Sequence, residues 1–234
     1  MRIPLLDILR GLAVIGMVVF HANYLLEHVF ARDIIPIGDA FWNLLGPSVA
    51  IVFISLAGVV SILSSHGKSV RHILEKTLKR TLILAACALT VTLVTYTLIP
   101  EQRISWGILH FLTLAGVLGV ITLRTGYLTF LLGIVCLTLP YLSLTSLASI
   151  WLIPIGYPPQ DYYSADYYSL IPWMGYYLIG QGIGYALSRN NTLLASRDSH
   201  ISQHSLFAFL GRHALMIYMV HVPVIYGVMW VAWR

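Results

Sequence analysis

The sequence has few charged residues and few cysteines. Only 10% of its 234 residues are charged, whereas 58% are hydrophobic. A soluble globular domain has about 25% charged and about 45–50% apolar residues. The composition therefore excludes a water-soluble globular domain, a disordered chain and a fibrous protein. The two cysteines, Cys87 and Cys136, both lie within apolar stretches, so the sequence predicts neither a disulfide nor a cysteine-based metal cluster.

Long apolar stretches dominate what is present. They far exceed the ~10-residue strands of a membrane β-barrel, and a transmembrane helix needs about 20 residues. The sequence therefore predicts an all-α fold, a polytopic transmembrane helix bundle that forms a single domain over residues 1–234. We expect about seven spans, at 5–26, 42–64, 79–99, 105–123, 126–142, 168–188 and 206–232. The apolar segment 147–156 is too short to cross and is predicted to be interfacial or re-entrant.

The placement of the basic residues predicts the orientation. If the N-terminus is cytoplasmic, 11 of the 14 lysines and arginines lie on the cytoplasmic side. This bias follows the positive-inside rule and predicts a cytoplasmic N-terminus and an outer C-terminus. It also accounts for the formal net charge of +5 without a nucleic-acid partner. The three basic residues expected outside are Arg32, Arg103 and Arg234, and the cytoplasmic set is Arg2, Arg10, Lys68, Arg71, Lys76, Lys79, Arg80, Arg124, Arg189, Arg197 and Arg212.

The first predicted span carries ionisable side chains on one face. Ionisable groups within spans are costly in hydrocarbon and are candidates for function. Arg10 and His21 are 11 positions apart, about three helical turns, and therefore share a face at a separation of ~16 Å along the axis. Asp7 precedes Arg10 by three residues and can pair with it. The small residues Gly11 and Gly16 allow a neighbouring helix or a ligand to approach closely.

Depth along the other spans sorts the polar residues into two layers. Histidine suits general-base catalysis near neutral pH, and cations suit phosphate groups. A metal site would need three of the histidines to converge on one point, and we predict none. The outer layer contains His21, His110, Asp166 and His221, and the inner layer contains Arg10, Lys79, Arg80, Arg212 and His213.

Several stretches resemble a known family. An arginine and a histidine with ten residues between them, as in Arg10 and His21, are similar to the first-span motif of the transmembrane acyltransferase superfamily. More closely, the whole chain resembles the bacterial and archaeal relatives of heparan-α-glucosaminide N-acetyltransferase. The resemblance is carried, in order along the chain, by Asp7-Ile-Leu-Arg-Gly-Leu-Ala, Val52-Phe-Ile-Ser-Leu-Ala-Gly58, Lys79-Arg80, Trp106-Gly-Ile-Leu-His110, Asp166-Tyr-Tyr-Ser-Leu-Ile-Pro-Trp173 and Leu210-Gly-Arg-His through His221-Val-Pro223.

The resemblance implies an integral membrane acyltransferase. Such an enzyme takes an acyl group, in this family acetyl, from cytoplasmic acyl-CoA and passes it to a hydroxyl or amine acceptor on the extracytoplasmic side. We expect a sugar or glycan as acceptor, acetyl-CoA or another acyl-CoA as donor, no metal, and a location in the plasma membrane of a prokaryote. In this interpretation His21 is the general base or accepts the acyl group transiently, and we favour direct transfer because one base suffices. His110, Asp166 and His221 orient it or bind the acceptor, and Arg10, Lys79, Arg80 and Arg212 hold the phosphates of CoA.

Two alternatives stay open at this stage. A small-molecule or proton-coupled transporter also uses ionisable residues within spans, although its usual internal repeats and broken helices are not evident in the sequence. An accessory subunit that has lost activity is a third interpretation, against which the complete set of ionisable residues argues. The expected partners are acyl-CoA, the acceptor and the lipid bilayer, with self-association as a further option. The sequence leaves the acceptor and the acyl length unspecified.

Overall fold

The chain is mainly helical in the part that the structure describes. The structure, a computed structural model, describes residues 3–32, 38–142, 148–190 and 205–232. Within these ranges the only β-type pairing is an isolated bridge between Trp106 and Tyr167, so the all-α prediction is confirmed. The α-helices are α1 (Pro4–His28), α2 (Asp39–Ser65), α3 (Val70–Leu98), α4 (Ile108–Ile121), α5 (Leu128–Thr138), α6 (Leu170–Arg189), α7 (Leu206–Arg212) and α8 (Ala214–Ala232).

Four of these helices are both long enough and apolar enough to cross a membrane: α1, α2, α3 and α8. Two of the predicted spans, 105–123 and 126–142, contain shorter apolar helices. Helix α4 has 14 residues and helix α5 has 11. Both are below the ~20 residues that a perpendicular crossing needs. The 20-residue helix α6 occupies the predicted span 168–188. The count of seven spans and the orientation of the termini stay predictions.

The predicted span 206–232 is not one continuous helix. Helix α7 ends at Arg212, and His213 has φ −103° and ψ 15°, which is not α-helical. The backbone N–H of His213 donates to the carbonyl oxygens of both Phe209 and Leu210, at 3.2 Å each. Helix α8 then begins at Ala214. Hydropathy averaged over a window cannot detect such a break, because the residues on both sides of it are apolar.

The short apolar segment 147–156 forms a compact turn over its described residues, 148–156. A single 3₁₀ turn covers Ile150–Leu152. The backbone N–H of Ser149 donates to the carbonyl oxygen of Tyr157 at 3.0 Å, which closes the turn. This length excludes a crossing, as the sequence predicts. Four residues used in the predictions, Arg2, Leu147, Arg197 and Arg234, lie outside the described residues.

The chain divides into two compact units. Unit 1 consists of residues 1–53 and 196–234, and unit 2 of residues 54–195. The described part of unit 1 therefore contains α1, the first part of α2, α7 and α8. Unit 2 contains the rest of α2 and helices α3 to α6. The prediction of one domain over the whole chain stays a prediction.

In unit 1, α1 and α7 pack with their backbones in contact. A β-carbon at Gly11 would overlap the carbonyl oxygen of Phe207, and one at Gly211 would overlap the carbonyl oxygen of Asp7. Farther along α1, a β-carbon at Gly16 would lie 2.8 Å from the side chain of Val49. Small residues allow this close approach, which dispersion forces favour. The sequence allows either a helix or a ligand at this face, and the structure places α7 against Gly11 and the α2 residue Val49 against Gly16.

In unit 2, a row of glycines on α6 allows the same kind of contact. A β-carbon at Gly180 would overlap the carbonyl oxygen of Ser55, and one at Gly184 would lie 2.7 Å from that of Val59. Gln181, between these glycines, is fully buried. Its amide donates to the carbonyl oxygen of Gly119 at 2.8 Å and accepts from Thr122 at 2.6 Å. This buried amide is therefore hydrogen-bonded across helices, as most buried polar groups are.

Candidate functional site

The N-terminal part of α1 carries an ion pair. A guanidinium nitrogen of Arg10 lies 3.0 Å from a carboxylate oxygen of Asp7, and the two side chains are 23% and 16% exposed. The pair follows from the spacing of three residues, which places both side chains on adjoining helix faces. Asp7 also lies in the first turn of α1, where a negative charge is favoured by the helix dipole. The predicted pairing of Asp7 with Arg10 is confirmed.

Farther along α1, His21 contacts His221 of α8. Their ring centroids are 4.7 Å apart and the rings are nearly perpendicular, at 80°. Both residues belong to unit 1, and His221 is only 6% exposed. The sequence predicts that these two histidines share an outer layer. The structure brings them into direct contact, and we refer to them as the histidine pair.

Both members of the histidine pair hold the same tautomer. Nδ1 of His21 lies 2.9 Å from the carbonyl oxygen of Met17, and Nδ1 of His221 lies 2.6 Å from that of Tyr218. A carbonyl oxygen can only accept, so each Nδ1 carries its proton and donates it. In the neutral rings each Nε2 therefore has a lone pair that can accept a proton. The helix backbone fixes both imidazoles in the form that a general base requires.

Nε2 of His221 has no hydrogen-bond partner among the described residues. This nitrogen is buried. Nε2 of His21 also makes none within the described ranges. A buried polar atom without a partner costs about 1–3 kcal/mol, and such atoms in folded proteins require an explanation. In the neutral ring this Nε2 can accept a hydrogen bond.

In unit 2, Asp166 and His110 both bind the start of α4. A carboxylate oxygen of Asp166 accepts from the backbone N–H of Ile108 at 3.0 Å. Nδ1 of His110 accepts from the N–H of Gly107 at 3.2 Å. The first backbone N–H groups of a helix lack partners within it, and polar side chains commonly supply them. These two predicted site residues therefore stabilise the helix N-terminus.

The second ring nitrogen of His110 is also engaged. Nε2 lies 3.3 Å from the hydroxyl oxygen of Thr92, and that hydroxyl donates to the carbonyl oxygen of Ile104 at 2.9 Å. Because Nδ1 accepts, the neutral ring carries its proton on Nε2 and donates it to Thr92. Both nitrogens of His110 thus have partners within unit 2. In the histidine pair, by contrast, neither Nε2 has a hydrogen-bond partner among the described residues, although the sequence predicts one layer for all three histidines.

The predicted cations are distributed over two helices and the end of a third. Lys79 and Arg80 are exposed on α3, and Arg212 is exposed in the last turn of α7. Arg80 lines a cavity in unit 2 together with Lys76. Lys76 has no predicted binding role, although its spacing of four residues from Arg80 indicates a shared helix face. Thr92 is likewise missed, because its contact with His110 comes from another helix.

No cluster of three or more histidine, cysteine, aspartate or glutamate side chains able to hold a metal ion occurs among the described residues. The histidine pair has only two such side chains, and His110 lies in unit 2. A typical catalytic zinc site has three protein ligands. Within unit 1, the histidine pair supplies two imidazoles in contact, each with Nδ1 directed at a backbone carbonyl oxygen.

Comparison with known proteins identifies the family. No curated protein and no solved structure matches the chain. The family model described as "Heparan-alpha-glucosaminide N-acetyltransferase, catalytic" matches residues 2–223. This match covers nearly the whole chain and includes both members of the histidine pair. It agrees with the resemblance seen in the sequence and indicates a membrane acetyltransferase. The chain belongs to the heparan-alpha-glucosaminide N-acetyltransferase catalytic family.

Proposed function

We infer that the protein transfers an acetyl group from cytoplasmic acyl-CoA to a hydroxyl or amine of a sugar or glycan on the extracytoplasmic side of the plasma membrane. Family membership supports the acetyl group, the donor and the glycan acceptor. The single observation that carries a catalytic role for this chain is the histidine pair. It places two imidazoles in contact, each with its proton donated to a backbone carbonyl oxygen and its other nitrogen able to accept a proton.

In the proposed reaction His21 is the general base. Its Nε2 removes the proton from the acceptor hydroxyl or amine as the acceptor oxygen or nitrogen attacks the thioester carbonyl carbon. The new ester or amide bond forms, the carbon–sulfur bond breaks, and the CoA thiolate leaves. The thiolate then takes the proton from His21, which regenerates the neutral base. One base suffices for this sequence, so direct transfer needs no acylated enzyme.

His221 positions the acceptor in this proposal. Its buried Nε2 can only accept a hydrogen bond in the neutral tautomer, so it suits a second hydroxyl or amine hydrogen of the acceptor. The acceptor would then present its reacting group to His21 in a restricted orientation. Fixed orientation of this kind contributes much of the rate enhancement of enzymes.

The remaining predicted residues have supporting roles. We assign the phosphates of the donor to the predicted cations, Arg10 and Arg212 of unit 1 or Lys79 and Arg80 of unit 2, because phosphates form strong charge-assisted hydrogen bonds with such groups. For Arg10 the ion pair with Asp7 holds the guanidinium in place. His110 and Asp166 support the start of α4 and take no part in proton transfer.

Release of free CoA thiol tests the function. Purified protein in detergent is supplied with acetyl-CoA and with sugars that differ in their free hydroxyls and amines. We expect thiol release that depends on one class of acceptor and that is lost in His21→Gln. Calorimetry with acetyl-CoA on the same folded samples measures donor binding. Absence of both donor binding and thiol release at millimolar acetyl-CoA would overturn the proposal.

A further inference from the structure

A small cavity in unit 2 is lined in part by basic and hydroxyl side chains. It lies between the C-terminal end of α2, the first half of α3 and α4, and its volume is about 50 Å³. A single water needs about 10–15 Å³ by the same kind of measure. The cavity thus admits a group of a few heavy atoms, such as a phosphate. The polar residues of its lining include Ser64, Ser65, Lys76, Thr77, Arg80 and Thr81.

The two cations of this cavity, Lys76 and Arg80, are four residues apart on α3. Side chains at this spacing are neighbours on a helix, and like charges there are destabilising by about 0.2–0.5 kcal/mol. Neither cation forms an ion pair within the described ranges. The adjacent Glu75 instead contacts Arg71, with 2.8 Å between the guanidinium and carboxylate. The cavity therefore has two positive charges that no described acid balances.

Hydroxyl groups with unused donors accompany these charges. The side chains of Thr77 and Thr81 line the same cavity, and neither makes a hydrogen bond to another described residue. Other threonines of α3 behave differently: the hydroxyl of Thr90 donates to a carbonyl oxygen of its own helix at 2.9 Å, and that of Thr95 does so at 2.9 Å. Hydroxyl donors beside lysine and arginine suit the oxygens of a phosphate.

We propose that this basic cavity binds a phosphate group through Lys76 and Arg80, with Thr77 and Thr81 as further donors. Arginine can bind two phosphate oxygens at once, and lysine supplies a compact charge. The phosphate can belong to the nucleotide part of CoA or to the headgroup of an anionic lipid. The first source rests on the proposed function, whereas the second is independent of it. In both cases the ligand relieves the repulsion between the two cations.

The test removes one charge at a time. Lys76→Gln and Arg80→Gln each remove a cation that lines the cavity. Arg71→Gln is the matched control, because it removes one positive charge from the same helix at an exposed position outside the lining. Calorimetry measures the affinity for CoA. Native mass spectrometry of protein from nanodiscs with and without phosphatidylglycerol measures retained anionic lipid.

A charge-assisted hydrogen bond contributes about 1.5–3 kcal/mol, so each cavity variant is expected to weaken phosphate binding by at least about tenfold. Loss of CoA affinity identifies the nucleotide as the source, and loss of phosphatidylglycerol alone identifies the lipid. Arg71→Gln is expected to change neither. Unchanged affinity for both ligands in Lys76→Gln and Arg80→Gln, or equal losses in Arg71→Gln, would overturn the proposal.

The outcome is separable from that of the proposed function. Lys76 and Arg80 are both exposed side chains, so the variants are expected to fold, and circular dichroism checks this. If the wild type shows no acetyl transfer but the cavity variants lose bound phosphatidylglycerol, the proposed function fails and the cavity proposal holds. If transfer occurs and neither variant alters ligand binding, the cavity proposal fails together with the assignment of Arg80 to the donor phosphates, whereas the transfer function holds.

Discussion

The histidines of the two units differ in what their ring nitrogens contact. In unit 1, His21 and His221 donate from Nδ1 to backbone carbonyl oxygens and retain Nε2 lone pairs. In unit 2, His110 has hydrogen-bond partners at both nitrogens. All three lie within predicted spans, at similar predicted depths. In the proposed function, the partners of the ring nitrogens therefore distinguish the general base, His21, from a residue that stabilises a helix end, His110.

The largest effect is expected from His21→Gln. A general base contributes about 10²–10⁴-fold to a rate, so kcat for acetyl transfer should fall by a factor in that range. His28→Gln is the matched control, because His28 lies on the same helix and directs Nδ1 to the carbonyl oxygen of Tyr24 at 3.2 Å, but is exposed. Thiol release from acetyl-CoA measures both. Equal losses in the two variants would contradict a special role for the histidine pair.

A smaller loss of activity is expected from His221→Phe, without a loss of stability. Phenylalanine keeps the buried aromatic ring and removes the unpartnered Nε2, whose burial costs free energy. We expect kcat/KM to fall by about 10–100-fold, a loss of about 1.4–2.8 kcal/mol, while the thermal midpoint is unchanged or higher. Steady-state kinetics and thermal unfolding in detergent give the two quantities. A lowered midpoint with normal kinetics would make His221 a packing residue.

In unit 2, replacement of the buried Gln181 should lower stability. Gln181→Leu removes a fully buried amide with partners on α2 and α4, Ser61, Gly119 and Thr122. Leaving a buried group unsatisfied costs about 1–3 kcal/mol, so unfolding should require correspondingly less denaturant. The control Thr138→Val removes an exposed hydroxyl that bonds within its own helix. Similar stability of the two variants would show that the buried amide contributes little.

The smallest effect is expected from His110→Asn. The side-chain oxygen of asparagine can take the place of Nδ1 and accept from Gly107, so only the contact of Nε2 with Thr92 is lost. A net hydrogen bond is worth about 0.5–1.5 kcal/mol, and the loss of stability should fall within that range. Acetyl transfer should fall by less than about threefold, equivalent to about 0.65 kcal/mol. His110→Ala, which loses both contacts, should be less stable than His110→Asn.

Local spacing predicts the features that depend on one helix. The ion pair of Asp7 with Arg10 follows from a separation of three residues. The small side chains of Gly11 and Gly16 allow the close approach of neighbouring elements at these positions. These features need no knowledge of tertiary structure, because helix geometry fixes which residues are neighbours.

Features that depend on a second element are not predicted. The role of His110 is set by Thr92 on α3 and by the orphan N–H groups that begin α4. The break at His213 lies between two apolar helices, so a hydropathy window passes over it. Helices α4 and α5 are shorter than their apolar runs because the flanking residues form turns and loops. Composition alone does not distinguish an apolar stretch that is one continuous helix from one that contains a break or a loop.

The most direct test of the account is the turnover of His21→Gln and His110→Asn measured side by side. Both variants replace a histidine in a predicted span with an amide, so differences in polarity and volume are small. The account predicts that acetyl transfer falls by about 10²–10⁴-fold in His21→Gln and stays near the wild-type rate in His110→Asn. Comparable rates in the two variants, or a larger loss in His110→Asn, would contradict it.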